Sequence, residues 1–201
     1  MIKVQGKINR SVLVACSGGV DSMAVVDFLK RNHRVTLLFF NHGTKDSHDA
    51  LEFIEKYANN NGLKLEVGEI SREKSNRESQ EEYWRNERYK FFNVFNEPVI
   101  TCHHLDDCVE SWIFSSLHGK GKIIPYSNKN VIRPFRLNRK QHFIDWCKSK
   151  GVPWIEDTSN ADTKYMRNFI RQELMPKALY VNPGLHKVIY KKINETYERE
   201  I

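Results

Sequence analysis

Ser11-Val12-Leu13-Val14-Ala15-Cys16-Ser17-Gly18-Gly19-Val20-Asp21-Ser22 is the stretch whose reading decides the fold. A short apolar, β-branched run that stops at glycines reads as a buried strand, and the residues from Ser22 to Arg31 read as a helix. The two glycines allow backbone conformations closed to other residues, so successive N–H groups can converge on an anion. The following helix adds the positive end of its dipole and its unpaired N–H groups. Ser17 and Ser22 can donate hydroxyl hydrogen bonds to phosphate oxygens, whereas Asp21 would repel a bare triphosphate. Its presence calls for a bridging Mg²⁺ or an electrostatic role beside one. No lysine follows the glycines, so this is not the loop that serves β/γ cleavage. A glycine turn with Asp21 as a helix cap is the plain alternative. The strand–loop–helix setting favours nucleotide binding by Ser17, Gly18, Gly19, Val20, Asp21 and Ser22.

Outward from this loop, strand and helix signals alternate, as in a parallel α/β sheet. Further strands are predicted at Arg34 to Phe40, Leu63 to Val67 and Pro98 to Cys102, and helices at Asp46 to Asn61, Glu78 to Phe95 and His104 to Leu117. Apolar spacing at Leu51, Ile54, Tyr57 and Ala58 gives the helical period, with Gly62 as the stop. The character changes at the loop Gly119 to Pro125. Beyond it, Arg133-Pro134 forces a turn, a helix runs from about Asn138 to Lys150 before Gly151 and Pro153, and a last pair of helices is separated by Pro176 and Pro183. The reading is therefore a parallel-sheet α/β nucleotide-binding catalytic domain over 1–118, followed by a small basic helical extension over 119–201.

The 201 residues carry a net charge of +7. Gly119 to Lys150 holds nine Lys/Arg against one acid, Asp145, a local +8 that leaves the rest of the chain at −1. Concentrated positive charge interleaved with Tyr126, Phe135 and Trp146 suits a phosphate-bearing partner, the alternative being a solvated lysine-rich face. Lys120, Lys122, Arg133 and Arg136 are the candidate contacts. No apolar run has the length a bilayer needs, and the run ending at Cys16 is too short for a secretory leader, so a cytoplasmic protein is expected. The four cysteines, Cys16, Cys102, Cys108 and Cys147, form no CxxC pair and read as reduced thiols.

A second cluster, His103-His104-Leu105-Asp106-Asp107-Cys108-Val109-Glu110, follows the fourth strand. If it opens a helix, His103, Asp106 or Asp107, and Glu110 share one side, at the strand ends where ligands of parallel sheets bind. Such carboxylates can hold Mg²⁺ or take a proton from an attacking amine; the alternative is acids favouring a helix N-terminus. Zinc is poorly supported, since no second His/Cys pair has suitable spacing. Farther on, Arg167 and Arg171 form an i,i+4 pair placed to meet phosphate or a base edge. Asp157, Ser159 and Asn160 are cap and turn formers.

The Ser17–Ser22 hexapeptide resembles the SGGxDS signature of the PP-loop ATP pyrophosphatases, and the likeness extends to their tRNA-isoleucine lysidine synthetases. His103–Glu110 resembles that group's HHxDDxxE stretch. Asn41-His42-Gly43-Thr44-Lys45-Asp46-Ser47 is similar to its segment after the second strand, with Lys45 where arginine is usual. Glu81 to Tyr89 resembles its ExxAR-x-x-RY helix, with Tyr83-Trp84 in place of the small residue. His118-Gly119-Lys120-Gly121 stands at its RGxG loop and Arg133-Pro134-Phe135 at its RPL element. Trp154 to Asn160, Tyr165 to Arg171 and Pro176 resemble its W-x-ED-x-SN…YxRNxIR…P signature.

The resemblance implies ATP and Mg²⁺ as cofactors, with Asp21 and Asp107 at the metal and Asp21, His103, Asp106, Asp107 and Glu110 in catalysis. It implies a CAU-anticodon isoleucine tRNA, gripped by Lys120, Lys122, Arg133, Arg136, Arg167 and Arg171, and free lysine as the second substrate. The wobble cytidine would be adenylated at its carbon-2 oxygen and AMP then displaced by lysine. The departure is length: many such enzymes carry further C-terminal tRNA-gripping domains, so a compact form, or a homodimer through Val188–Tyr197, would have to compensate. The competing readings are a sulfur transferase of the same superfamily and a non-catalytic nucleotide- or RNA-binding module.

Overall fold

The computed structural model describes residues 1–156 and 166–200; the expectations for Asp157, Thr158, Ser159, Asn160 and Tyr165 fall outside them. Among the described residues, six strands form one sheet in the order β3-β2-β1-β4-β6-β5. They are β1 Ser11–Ala15, β2 Arg34–Asn41, β3 Lys64–Glu69, β4 Val99–Ile100, β5 Ser127–Asn128 and β6 Val131–Ile132. All neighbours are parallel except the β5–β6 hairpin. The chain winds outward from β1 through β2 to β3, then returns to the other side of β1 with β4. That reversal opens a crevice at the carboxyl ends of β1 and β4, where doubly wound sheets take their ligands.

The period-two alternation of the strands explains the layers. Val12, Val14, Val35, Leu37 and Phe39 face a core closed by α1 (Val20–Lys30), α2 (Lys45–Asn61) and α5 (Lys140–Lys150). Leu13, Leu38, Val99 and Val131 face the opposite side, covered by α3 (Gln80–Phe92) through Phe92, Tyr89 and Phe91. The glycines expected to stop α2 and α5 do so: Gly62 and Gly151 both sit at φ +62°.

Two differences from the sequence reading matter. The short Val131-Ile132 run enters the sheet beside β4, and α5 packs Phe143 and Cys147 into the α1 core. Conversely α4 (Leu105–Leu117) shares a separate helical core with α7 (Met175–Val181) and α8 (Leu185–Glu200) through Cys108, Val109, Met175 and Ile189. The division after residue 118 thus runs across both cores: the strand after it completes the sheet, and the helix before it anchors the tail. Between α6 (Met166–Phe169) and α7 the chain widens into a π-helical turn, Ile170–Leu174, closed by the Met175 N–H on the Ile170 carbonyl. Pro176 follows and has no N–H to continue the α-helical ladder, a physical reason for the wider turn.

Candidate active site

The Ser17–Ser22 loop is closed from within. The Ser22 hydroxyl donates to the Gly19 carbonyl at 2.9 Å and accepts the Ser17 N–H at 3.3 Å, so Ser22 shapes the loop. Gly18 has φ +81°, and a Cβ there would lie 2.9 Å from Cδ1 of Ile155, so both conformation and close approach demand glycine. The Ile155 N–H donates to the Gly18 carbonyl at 3.0 Å, laying the Trp154–Glu156 segment against the loop. α1 begins after Gly19 with no side-chain cap, as an anion-accepting helix end requires.

Asp21 sits in the first turn of α1. Its Oδ1 is buried and has no hydrogen-bond partner among the described residues, while Oδ2 lies 3.6 Å from Nε2 of His104. An orphaned carboxylate oxygen beside an anion-accepting loop fits a hard cation that draws its other ligands from phosphate and water. Among the described residues no three His, Cys, Asp or Glu side chains gather to cage an ion, so the fit rests on Asp21. Asp107, the second expected metal ligand, has both oxygens engaged elsewhere.

His104, rather than His103, faces Asp21. Fully buried at the N-cap of α4, it closes a reciprocal capping box: Nδ1 accepts the Asp107 N–H at 3.2 Å, and Asp107 Oδ2 accepts the His104 N–H at 2.9 Å. That bond places the ring proton of the neutral imidazole on Nε2, toward Asp21. Burial alone would lower its pKa, but the carboxylates of Asp107, Asp21 and Asp106 outweigh burial and raise it. His103 turns instead to the Thr101 hydroxyl at 3.0 Å, and burial, with the cations of Arg133 and Arg167, pushes it down to about 3.

Asp106 leaves the cluster. It accepts the Lys140 N–H at 2.8 Å at the start of α5, the His186 Nε2–H of α8 at 2.9 Å and Arg139 Nε at 3.2 Å. These contacts overcome burial and hold its carboxyl well below the usual range. Its position is that of a strut between α4, α5 and α8.

Asp107 and Glu110 stay together, facing Arg167 and Arg171. Asp107 Oδ1 accepts Arg167 Nη2 at 2.8 Å, and Glu110 accepts Arg171 Nε at 2.6 Å and Nη2 at 3.1 Å. The two acids are buried while the Arg167 side chain is 51% exposed, so two carboxylates and two guanidiniums form a balanced cluster with one open side. Arg167 and Arg171 reach the same cluster from α6 and the π-helical turn, and among the described residues their partners are these carboxylates.

The other basic candidates divide. Lys120 and Lys122 are exposed. Arg133 and Arg136, expected on an RNA-facing surface, are 2% and 0% exposed, a correction with a clear cause. Arg133 donates to the Pro125 carbonyl at 3.0 Å and the Tyr89 hydroxyl at 3.1 Å; Arg136 donates to the Ile124 carbonyl at 2.6 Å and to Gln5 Oε1 at 2.8 Å. Residues sharing a charged stretch need not share a surface when a β-strand runs through it.

Two residues without an expected role join the edge. His42, just past β2, stacks 5.2 Å from Trp84; its Nδ1 is buried without a partner among the described residues, and burial with nearby Arg88 lowers its pKa to about 4. Arg88 of α3 is half-buried, its guanidinium disfavoured by burial and by Arg85 and Arg167, and no carboxylate of the described residues lies within 4.0 Å. A desolvated cation with no carboxylate of the described residues beside it makes this wall anion-accepting. Both residues fall inside the motifs quoted above, where periodicity shows a helix face but not what it faces.

Comparison with known proteins agrees with this architecture. The U34-tRNA thiolase NcsA from Methanococcus maripaludis, solved with its [4Fe-4S] cluster, superposes with a TM-score of 0.73 at 14% identity, over 96% of this chain and 74% of that one. The NH3-dependent NAD synthetase of Campylobacter jejuni gives a TM-score of 0.54 at 15% identity, over 96% of this chain and 86% of that one. Curated relatives include the tRNA(Ile)-lysidine synthase of Thermotoga sp. (strain RQ2), 28% identical over 92% of this chain and 49% of its own length. That of Persephonella marina is 31% identical over 87% of this chain and 42% of its own. The chain thus spans about half the length of the curated relatives it matches. The PP-loop domain model matches residues 2–178, so with the SGGxDS loop, the sheet order and the crevice in place, the chain belongs to the PP-loop domain family.

Proposed function

We propose that this chain catalyses an ATP-dependent tRNA modification that joins lysine to the wobble cytidine of an isoleucine tRNA. The observation that carries the reading is the Asp107–Glu110–Arg167–Arg171 cluster beside the PP-loop. A free diamino acid presents ammonium groups and a carboxylate, and this cluster offers acceptors and donors for both. The names of the curated relatives support the same choice.

In this reading the cytidine carbon-2 oxygen attacks the α-phosphorus of ATP and pyrophosphate leaves. The lysine ε-amine then attacks carbon 2, and AMP departs with the former carbonyl oxygen. Asp21 would hold the Mg²⁺, which would supply positive charge to the phosphates. The loop N–H groups orient the phosphates, and His104 Nε2–H faces Asp21 Oδ2 at 3.6 Å. Arg88 and His42 supply positive charge and a polar nitrogen at the same edge. Lysine's ammonium, with a pKa near 10.4 in water, must lose a proton before it attacks, and Glu110, the acid of the cluster that does not cap α4, is the base the cluster offers.

Sulfur transfer, the nearest alternative, draws less support from the thiols. Cys108 and Cys147 are fully buried in α4 and α5, and burial raises them to about 12 and about 11. The test is incubation with an unmodified isoleucine tRNA, ATP and radiolabelled lysine. Label entering RNA with wild-type protein but not with Asp21→Asn supports the proposal; adenylated RNA that never takes up lysine would sink it.

A further inference from the structure

We infer that the groove between the Gly121–Pro125 loop and α8 is a track for the RNA phosphodiester backbone, and that Lys192 and Arg199 of α8 complete it together with Lys122. The inference rests on the RNA-substrate reading above but concerns a surface remote from the PP-loop. The groove encloses about 430 Å³ and is lined by Lys122 on one side and Lys192, Glu195, Thr196 and Arg199 on the other. All three cations are exposed, and no carboxylate of the described residues lies within 4.0 Å of any of them. Glu195, the one acid among the described residues lining the groove, lies 3.8 Å from Lys191, which offsets its charge.

Both walls are built firmly enough to hold a shape. The Ser115 hydroxyl accepts the Lys122 N–H at 2.8 Å and donates to the Lys122 carbonyl at 3.2 Å. The buried Arg136 and Arg133 hold the Ile124 and Pro125 carbonyls, and the Arg133 N–H bonds the Tyr126 carbonyl at 2.9 Å. The two arginines that the sequence suggests as RNA contacts therefore act indirectly, as ties that fix the loop presenting Lys122. The other wall, α8, is seated by Leu185, Ile189 and Ile193 in the helical core and by His186 on Asp106.

This second contact also sets the direction. His186 lies next to the acidic strut at the start of α4, and at 1.5 Å per residue Lys192 and Arg199 follow roughly 9 and 20 Å farther along the helix. Cations at such intervals, leading away from the catalytic edge, suit successive phosphates of a strand whose target base enters the crevice. A compact phosphate ligand would not span them.

The experiment compares Lys122→Ala/Lys192→Ala/Arg199→Ala with a matched control, Arg10→Ala/Arg34→Ala/Lys64→Ala, which removes three exposed cations at the opposite, amino edge of the sheet. Filter binding of a tRNA transcript is measured across salt concentrations, with circular dichroism to confirm folding. The groove variant is expected to bind about 10-fold more weakly, with the log–log salt slope reduced by about 2, as expected when about three single-strand phosphate contacts are lost. The control should change neither, and Glu195→Gln should tighten binding about twofold. Equal losses in groove and control variants, or a wild-type slope in the groove variant, would overturn the inference. Because the readout is binding, a wild-type protein that binds tRNA along this groove yet incorporates no lysine would defeat the ligase reading and leave the groove standing.

Discussion

Two pairs of arginines, three and four residues apart in sequence, end in opposite situations. Arg133 and Arg136 lie in the interior and donate to uncharged oxygens of Pro125, Tyr89, Ile124 and Gln5. Arg167 and Arg171 lie at the mouth of the crevice and donate to the carboxylates of Asp107 and Glu110. A buried guanidinium tied to fixed interior oxygens, even with the Arg133 Nε left without a partner among the described residues, has no reason to leave them and is architecture. A half-exposed guanidinium paired with a carboxylate can exchange that partner for a substrate's, because the exchange conserves charge and hydrogen bonds. Location, not residue type or local charge density, separates scaffold from chemistry.

The largest effect should come from the interior pair. Arg136→Ala removes the donors to the Ile124 carbonyl and Gln5 Oε1 and leaves a cavity, at an expected cost of about 4 kcal/mol in urea unfolding. For a domain of this size that lowers Tm by roughly 10 °C. At saturating tRNA, activity per folded molecule should stay near wild type, while tRNA affinity falls because the loop presenting Lys122 loses its tie at the Ile124 carbonyl. A loss below about 1 kcal/mol would mean that Arg136 is no tie, and the contrast between the pairs would break.

Arg167→Ala should do the reverse. Its side chain is half exposed, and Asp107 keeps the His104 N–H and Arg171, so stability should fall by no more than about 1 kcal/mol. Lysine-dependent turnover should fall about 100-fold, equivalent to about 2.7 kcal/mol, while adenylation of RNA persists. Steady-state kinetics with lysine varied would check it. Equal loss of both steps would place Arg167 at the nucleotide instead.

How much of this was legible in the sequence follows the same line. The first four strands and the helices between them could be read, because strands of alternating burial and helices with glycine stops leave periodic marks. β6 could not: two residues, Val131 and Ile132, carry no period, and the following Arg133-Pro134 looks like a turn. The PP-loop and the acidic cluster were legible as motifs, and the structure brings Asp21, Asp107 and Glu110 to one edge. Which histidine faces Asp21 was not, since His103 and His104 are adjacent and only the capping geometry of α4 separates them. Periodicity says which side chains share a face; it does not name the acceptor opposite, which is why Arg136 and Arg171 looked alike.

The two regions should also answer differently to pH, because the edge titrates and the arginine ties do not. His42 and His103 are lowered to about 4 and about 3, so the unfolded chain binds their protons first, and their contribution to stability is lost as pH falls below about 6.5. His104, raised, works the other way: its contribution is present below about 6.5 and lost as pH rises through its folded value. Asp106 and Asp107, held low, lose theirs only as pH falls below about 4. Unfolding free energy should therefore decline between pH 6.5 and 4 and steepen beneath that. His42→Asn should flatten the first decline by at most one proton's slope, ~1.4 kcal/mol per pH unit. An unchanged slope would show that the buried Nδ1 of His42 does not resist protonation.

The smallest effect belongs to the thiols, and it decides between the two chemistries that share adenylation. Sulfur delivery needs a nucleophilic or cluster-holding cysteine, whereas an amine nucleophile needs none. Cys102 lies two residues past β4, with its thiol near the Ala15 carbonyl, and burial raises its pKa well above the ordinary range. Cys108 is fully buried in α4, packed in the helical core and raised to about 12. Neither is poised as a thiolate, so both should behave as small hydrophobes. Cys102→Ala/Cys108→Ala is expected to ligate lysine within about twofold of wild type, while losing about 1–2 kcal/mol of stability from the atoms removed at Cys108. Product formation and the adenylated intermediate are measured separately on the same RNA. If the folded double variant still adenylates RNA but forms no product, a thiol acts in the second step. The cluster of Asp107, Glu110, Arg167 and Arg171 would then be scaffold like the interior arginines, and the division between the two regions would have to be redrawn.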